Sequence, residues 1–125
     1  MTVPVVYIVD DDDDVRGALA FLLRTARYSV ETFSSAKAFL EREGVTSPSC
    51  LLTDIRMAEM DGLGLQKIVA TRFRGLPVIL MSGHGNEPLA IRAIQDGVVD
   101  FLEKPFTDDQ LISCIQRAVG LGFSE

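Results

Sequence analysis

Short, wholly apolar runs alternate with amphipathic helical patterns along this chain, and no other feature narrows its possible folds so far. Val5, Val6, Tyr7, Ile8 and Val9 form the first run, with no polar face. Val15, Leu19, Leu22 and Leu23 follow at helical spacing. Ser29–Phe33 reads as the second strand, and residues 36–42 as a short helix behind an N-cap at Ser34 or Ser35. The third strand holds Cys50, Leu51, Leu52 and Thr53 and ends at Asp54; the helix after Asp61-Gly62 carries Leu65, Ile68 and Val69. A strand over 77–81, a helix over 88–96 stopped by Gly97, and a strand over 98–102 come next. Thr107 caps a last helix with Leu111, Ile112, Ile115 and Val119 on one face.

Strict alternation of this kind implies a parallel sheet with helices on both faces, and strands covered on both sides are all-apolar runs. Right-handed crossovers leave few topologies. The expected fold is α/β, a flavodoxin-like doubly wound (βα)5 arrangement with a five-stranded parallel sheet in order 2-1-3-4-5. At 125 residues the chain is read as one domain, 1–125.

In open sheets of this type ligands bind beyond the carboxyl ends of the strands, where the strand order reverses. Here that point lies between the first and third strands. The first is followed by five aspartates, Asp10 to Asp14, and the third ends in Asp54. Asp12 or Asp13 caps the following helix, and Asp13 and Asp14 read as solvated first-turn acids facing its positive pole. Asp10 and Asp11 share the crevice with Asp54, and three carboxylates in one pocket require shifted protonation or a cation. Oxygen-only ligands with room for water suit Mg²⁺ or Mn²⁺. A calcium loop of the EF-hand type is excluded because Val15 stands where glycine is required, and a glycine-rich phosphate cradle because the turn is made of aspartates. The fourth strand delivers Ser82 to the same edge and the fifth delivers Lys104.

The stretches "IVDDD", "LLTDIRMAEMDGL", "VILMSGHG" and "DFLEKPF" follow the first, third, fourth and fifth strands in that order. Together they resemble a response-regulator receiver domain, and within that family the FixJ-like group, over essentially the whole chain. The resemblance implies that Asp54 is the phosphoacceptor and that Asp10 and Asp11 are the acidic pair. It further implies Mg²⁺ on Asp11, Asp54 and the backbone carbonyl of Arg56. Ser82 would bond a phosphoryl oxygen, Lys104 would pair with the phosphoryl group, and Phe101 would be the aromatic switch. The Lys104–Pro105 bond is expected to be cis. The implied partners are a sensor histidine kinase and a second copy of the chain on phosphorylation. In the helix before Gly97, the residues Ala90, Ala93, Ile94 and Gly97 are expected to face the sheet, leaving Ile91 exposed at the homodimer face.

Departures from the family pattern are Ala58 in place of a proline after Asp54, and Arg27 where glycine is common before Tyr28. If Arg27 adopts the left-handed conformation, the cost is about 1 kcal/mol. His84, the only histidine, reads as a loop residue without direct chemistry. Two other function classes compete with the phosphorylation switch. A haloacid-dehalogenase-type phosphohydrolase also uses an Asp nucleophile and Mg²⁺, but Arg56 occupies the position of its second acid. A receiver-like interaction module that is never phosphorylated typically lacks one of the acids or the lysine. The net charge of −6 and the absence of a basic cluster argue against direct nucleic-acid binding. DNA is expected to be reached only through a C-terminal effector domain not present in this sequence. No apolar stretch has membrane-spanning length and no signal-peptide pattern opens the chain, so a cytoplasmic location is expected. Cys50 and Cys114 lack CxxC spacing and read as reduced, packed thiols.

Overall fold

Strands and helices alternate as β1 (Val5–Val9), α1 (Asp13–Thr25), β2 (Ser29–Phe33), α2 (Ala36–Leu40), β3 (Ser49–Asp54), α3 (Gly62–Arg72), β4 (Val78–Ser82), α4 (Glu87–Gln95), β5 (Asp100–Glu103) and α5 (Asp108–Gly122). The computed structural model describes residues 3–42, 44, 49–83 and 87–122. All strand pairs are parallel and the order is β2-β1-β3-β4-β5, as expected. Among the described residues no helix is long and apolar enough to cross a membrane.

The strand side chains divide by parity, because successive residues of a strand point to opposite faces. Val6, Ile8, Cys50, Leu52, Ile79, Met81 and Leu102 pack against Leu19 and Leu23 of α1 and Leu111, Ile115 and Ala118 of α5. Tyr7, Val9, Leu51, Val78 and Leu80 pack on the other face against α2, α3 and α4 through Phe39, Leu65, Val69 and Ala93. Both layers close over β1, β3 and β4, so the site at their carboxyl ends is built on strands buried on both faces.

Local chemistry sets the element ends. Asp12 caps α1, its Oδ1 accepting from the Asp14 and Val15 N–H groups at 2.9 and 3.2 Å. Ser35 caps α2 and Asp61 caps α3. Helix α1 ends with Arg27 at φ +74°, with hydrogen bonds from Arg27 to Arg24 and from Tyr28 to Leu23. This is the Schellman arrangement, which wants glycine at the left-handed position. Gly97, at φ +104°, ends α4 in the same way through bonds from Gly97 to Ile94 and from Val98 to Ala93.

Several boundaries differ from the sequence reading. The fifth strand starts at Asp100 and not at residue 98, because the Val98 N–H is consumed in capping α4. The fourth strand is shifted one residue on, which puts Ser82 on the strand itself. Helix α2 stops at Leu40, where Glu41 and Arg42 close it with bonds back to Lys37 and Phe39. Ile94 was expected to face the sheet and is 55% exposed, whereas Ala93 is fully buried. Among the described side chains of α4, Ala93 is buried against the sheet, and Ile94 falls outside that contact. His84 and the side chain of Ala90 lie outside the described residues.

Candidate functional site

The carboxyl ends of β1, β3, β4 and β5 bring together most of the residues singled out from the sequence. Asp10 follows β1 directly and is fully buried. Its Oδ1 accepts from the Asp12 N–H at 2.9 Å, and its Oδ2 is buried without a hydrogen-bond partner. Asp54 closes β3, its backbone held by the Thr53 hydroxyl, which donates to the Asp54 carbonyl at 3.1 Å. The next residue is tied to the sheet by the Ile55 N–H, which donates to the Met81 carbonyl. Lys104 is anchored beside β4 by its own N–H, which donates to the Ser82 carbonyl at 2.6 Å. Its ammonium stands between two acids, 3.7 Å from Asp10 Oδ2 and 3.6 Å from Asp54 Oδ2. The Lys104–Pro105 peptide is cis, as expected.

Asp10, Asp11 and Asp54 each offer a carboxylate oxygen within 4.8 Å of the others. One ammonium does not balance three carboxylates, and a buried carboxylate oxygen without a donor is costly. A hard divalent cation with oxygen ligands answers both deficits, so the donor set fits Mg²⁺ or Mn²⁺. Arg56 lines an open depression of about 530 Å³ together with Asp11, Ile55, Met57 and Asp61. The carboxyl of Asp54 is pushed above the ordinary carboxylate range by burial and by the Asp10 charge, an effect Lys104 partly offsets.

Ser82 is buried at the last position of β4. Phe101 is half-buried on β5 and packs toward the α4 side of the sheet, next to Leu80 in the β4–β5 register. Ile91 lies on the outer face of α4 and is 61% exposed. It is not part of the acidic cluster. The two cysteines are free and buried. Burial pushes the Cys50 thiol up to about 12; burial and the hydrogen bond to Asp100 do the same for Cys114. Both stay protonated.

Two residues at this site escaped the sequence reading. Gly62 opens α3 against the end of β3: a Cβ there would lie 2.4 Å from the Asp54 carbonyl oxygen. The Asp-Gly pair after the third strand was a visible signal, but it reads equally well as an ordinary turn. Arg16, hidden behind the aspartates, donates from Nη1 to the Asp10 carbonyl at 2.7 Å and from Nη2 to Asp13 at 2.5 Å.

A doubly wound sheet with paired acids, a strand-end aspartate and a strand-end lysine at its switch point defines a phosphoacceptor class of signalling domain. The family model for the response regulator receiver domain matches residues 6–116, and the chain belongs to that family. It is 44% identical over 117 residues to the response regulator protein TmoT of Ectopseudomonas mendocina, covering 94% of this chain and 53% of TmoT. It is 42% identical over 114 residues to the transcriptional regulatory protein FixJ of Bradyrhizobium diazoefficiens, covering 91% of this chain and 56% of FixJ. The chain thus spans about half the length of these curated relatives. Among solved structures it superposes on the response regulator StyR with a TM-score of 0.90 at 37% identity, covering 98% of this chain and 62% of the StyR chain. The FixJ-N crystal structure gives a TM-score of 0.84 at 39% identity, with 95% of each chain covered.

Proposed function

We propose that this receiver accepts a phosphoryl group on Asp54 from the phosphohistidine of a sensor histidine kinase. An Asp54 carboxylate oxygen attacks phosphorus, the P–N bond to the donor imidazole breaks, and an acyl phosphate remains on Asp54. The observation that carries this reading is the position of Asp54: its carboxylate is partly open to solvent, faces Lys104 at 3.6 Å, and adjoins the sealed Asp10. Asp10 cannot be reached by a donor; Asp54 can.

Mg²⁺ would be held by Asp11, Asp54 and the Arg56 carbonyl, with Asp10 alongside, and would supply charge neutralisation for the transferring phosphoryl group. Lys104 exchanges its bridge between Asp10 and Asp54 for a pairing with the new phosphoryl group. The Ser82 hydroxyl donates to a phosphoryl oxygen, and Phe101, freed of its neighbour, turns inward. The same groups hold an attacking water during dephosphorylation, so the domain assists both the gain and the loss of its phosphoryl group. The rearranged face of α4 and β5 favours a homodimer around Ile91. Transcription is then controlled through an effector domain joined to this receiver, in the cytoplasm, as the receiver's relatives named as transcriptional regulators suggest.

With Mg²⁺ and acetyl phosphate, intact mass spectrometry should show the gain of one phosphoryl group in wild type and none in Asp54→Asn. Lys104→Ala should retain partial modification with impaired output. Equal labelling of wild type and Asp54→Asn would remove Asp54 from the reaction.

A further inference from the structure

Arg16 is in an unusual place for an arginine in the first turns of a surface helix. Its side chain is only 18% exposed, while Asp13, its ion-pair partner, is 86% exposed. A pair with so exposed an acid is worth little, so the pair does not account for the inward position of the guanidinium. The other end of the fork does: Nη1 meets the Asp10 carbonyl at 2.7 Å. That carbonyl lies one residue beyond Val9↔Phe33, the last register pair between β1 and β2. The Asp10 N–H still reaches the Phe33 carbonyl at 3.1 Å, so the strand lets go of its neighbour between the N–H and the C=O of this one residue.

Fixing that carbonyl fixes more than one atom. The peptide unit from Asp10 to Asp11 is planar, so the direction of the Asp10 C=O sets where the Cα of Asp11 stands. Asp10 is then tethered twice, at its carboxylate by the Asp12 N–H and at its carbonyl by Arg16. We propose that Arg16 is a positioning residue that holds the Asp10–Asp11 peptide so that both carboxylates converge with Asp54 on the cation. The inference rests on the Mg²⁺ reading given above and adds the residue that shapes the site.

Electrostatics alone argues for the opposite effect, which makes the proposal testable by sign. Arg16 is a cation beside an acidic cluster; if charge were its whole contribution, removing it would tighten Mg²⁺ binding. If it positions the acids, removing it weakens binding, and loss of a residue that orients a metal ligand typically costs on the order of 10- to 100-fold in affinity. Lysine keeps the charge but offers a point ammonium on a flexible stem in place of a rigid planar fork, so it does not hold the Asp10 carbonyl in one direction.

The melting temperature as a function of Mg²⁺ concentration yields an apparent Mg²⁺ affinity for the native state. Wild type, Arg16→Met, Arg16→Lys and Asp13→Ala are compared in this way, with far-UV circular dichroism in EDTA to establish that each is folded. Both Arg16 variants should bind Mg²⁺ roughly tenfold more weakly than wild type, whereas Asp13→Ala should stay within about threefold. Should Arg16→Met not fold, Arg16→Lys decides. Either Arg16 variant binding as tightly as wild type overturns the proposal, as does Asp13→Ala weakening Mg²⁺ as much as Arg16→Met. A wild type that takes no Mg²⁺ is a different result: it overturns the metal reading itself.

Discussion

Asp54 sits in an electrostatic conflict that the fold imposes. Burial and the neighbouring Asp10 raise its pKa, so the folded protein holds this proton more tightly than the unfolded chain does. As pH rises from the ordinary carboxylate value of 3.8, the unfolded state releases the proton first and stability falls until the folded carboxyl ionises too. Asp54→Asn should therefore melt above wild type in EDTA at pH 7, with the difference closing as pH is lowered toward 4. Thermal scans at several pH values check this, and a mutant that melts below wild type at pH 7 would contradict it. Mg²⁺ should raise the wild-type melting temperature and have little effect on Asp54→Asn. The Gly62 contact belongs to the same scale. In Gly62→Ala the new Cβ must move the Asp54 backbone or α3, at a cost of about 1–3 kcal/mol. Urea denaturation measures that loss, and the Mg²⁺ shift should shrink with it. Asp10, Asp11, Asp54, Ser82 and Lys104 could be placed at one edge from the sequence because each ends a strand or follows one within two residues, and topology alone delivers strand ends to one edge. Gly62 and Arg16 were not legible, because what matters is a through-space approach to a backbone carbonyl that no residue pattern encodes.

Element ends show where local chemistry overrides pattern. The strands and helices themselves were readable because a wholly apolar run and a 3.6-residue period are distinct signals, and β1 and β2 were placed to the residue. Where two elements compete for one residue, the signal divides. Val98 is apolar and β-branched, so it reads as strand, yet its N–H completes the Schellman cap of α4. At the end of α1 the same cap is built on Arg27, with the left-handed φ that the sequence comparison with its family raised as a possibility. A non-glycine residue there costs about 1–2 kcal/mol, partly offset because glycine has more unfolded-state entropy to lose. Arg27→Gly should accordingly stabilise the protein by about 0.5–1 kcal/mol, seen as a higher urea midpoint at unchanged m-value. The side chain of Arg27 is exposed, so nothing else at this turn depends on it. No change or a loss of stability would mean that the turn relaxes around arginine without strain.

At the scale of the whole molecule the question is how a change at the crevice reaches a partner. Among its described side chains, α4 buries Ala93 against the sheet and leaves Ile91 and Ile94 in solvent at 61% and 55% exposure. Ile94 was expected inside, and its exposure doubles the apolar surface that the sequence reading had assigned to this face. Phe101 stands half-buried on the adjoining strand and packs on the same face of the sheet as α4. A twofold dimer through such a face uses every contact residue twice. Burying an isoleucine is worth about 1.5–3 kcal/mol, so replacing it by glutamate in both copies removes roughly twice that, on the order of a 100-fold loss in dimer affinity or more. Phosphorylation needs only to bias two arrangements that already exchange, and the unphosphorylated protein should therefore dimerise too, at higher concentration. Ile91→Glu should accept a phosphoryl group on Asp54 as readily as wild type, because Ile91 is an exposed residue outside the acidic cluster, and yet remain monomeric. Sedimentation velocity on the phosphorylated variant decides the matter. If it dimerises like wild type, the surface that reads the switch is on another face, and the exposure of Ile91 and Ile94 has a different cause.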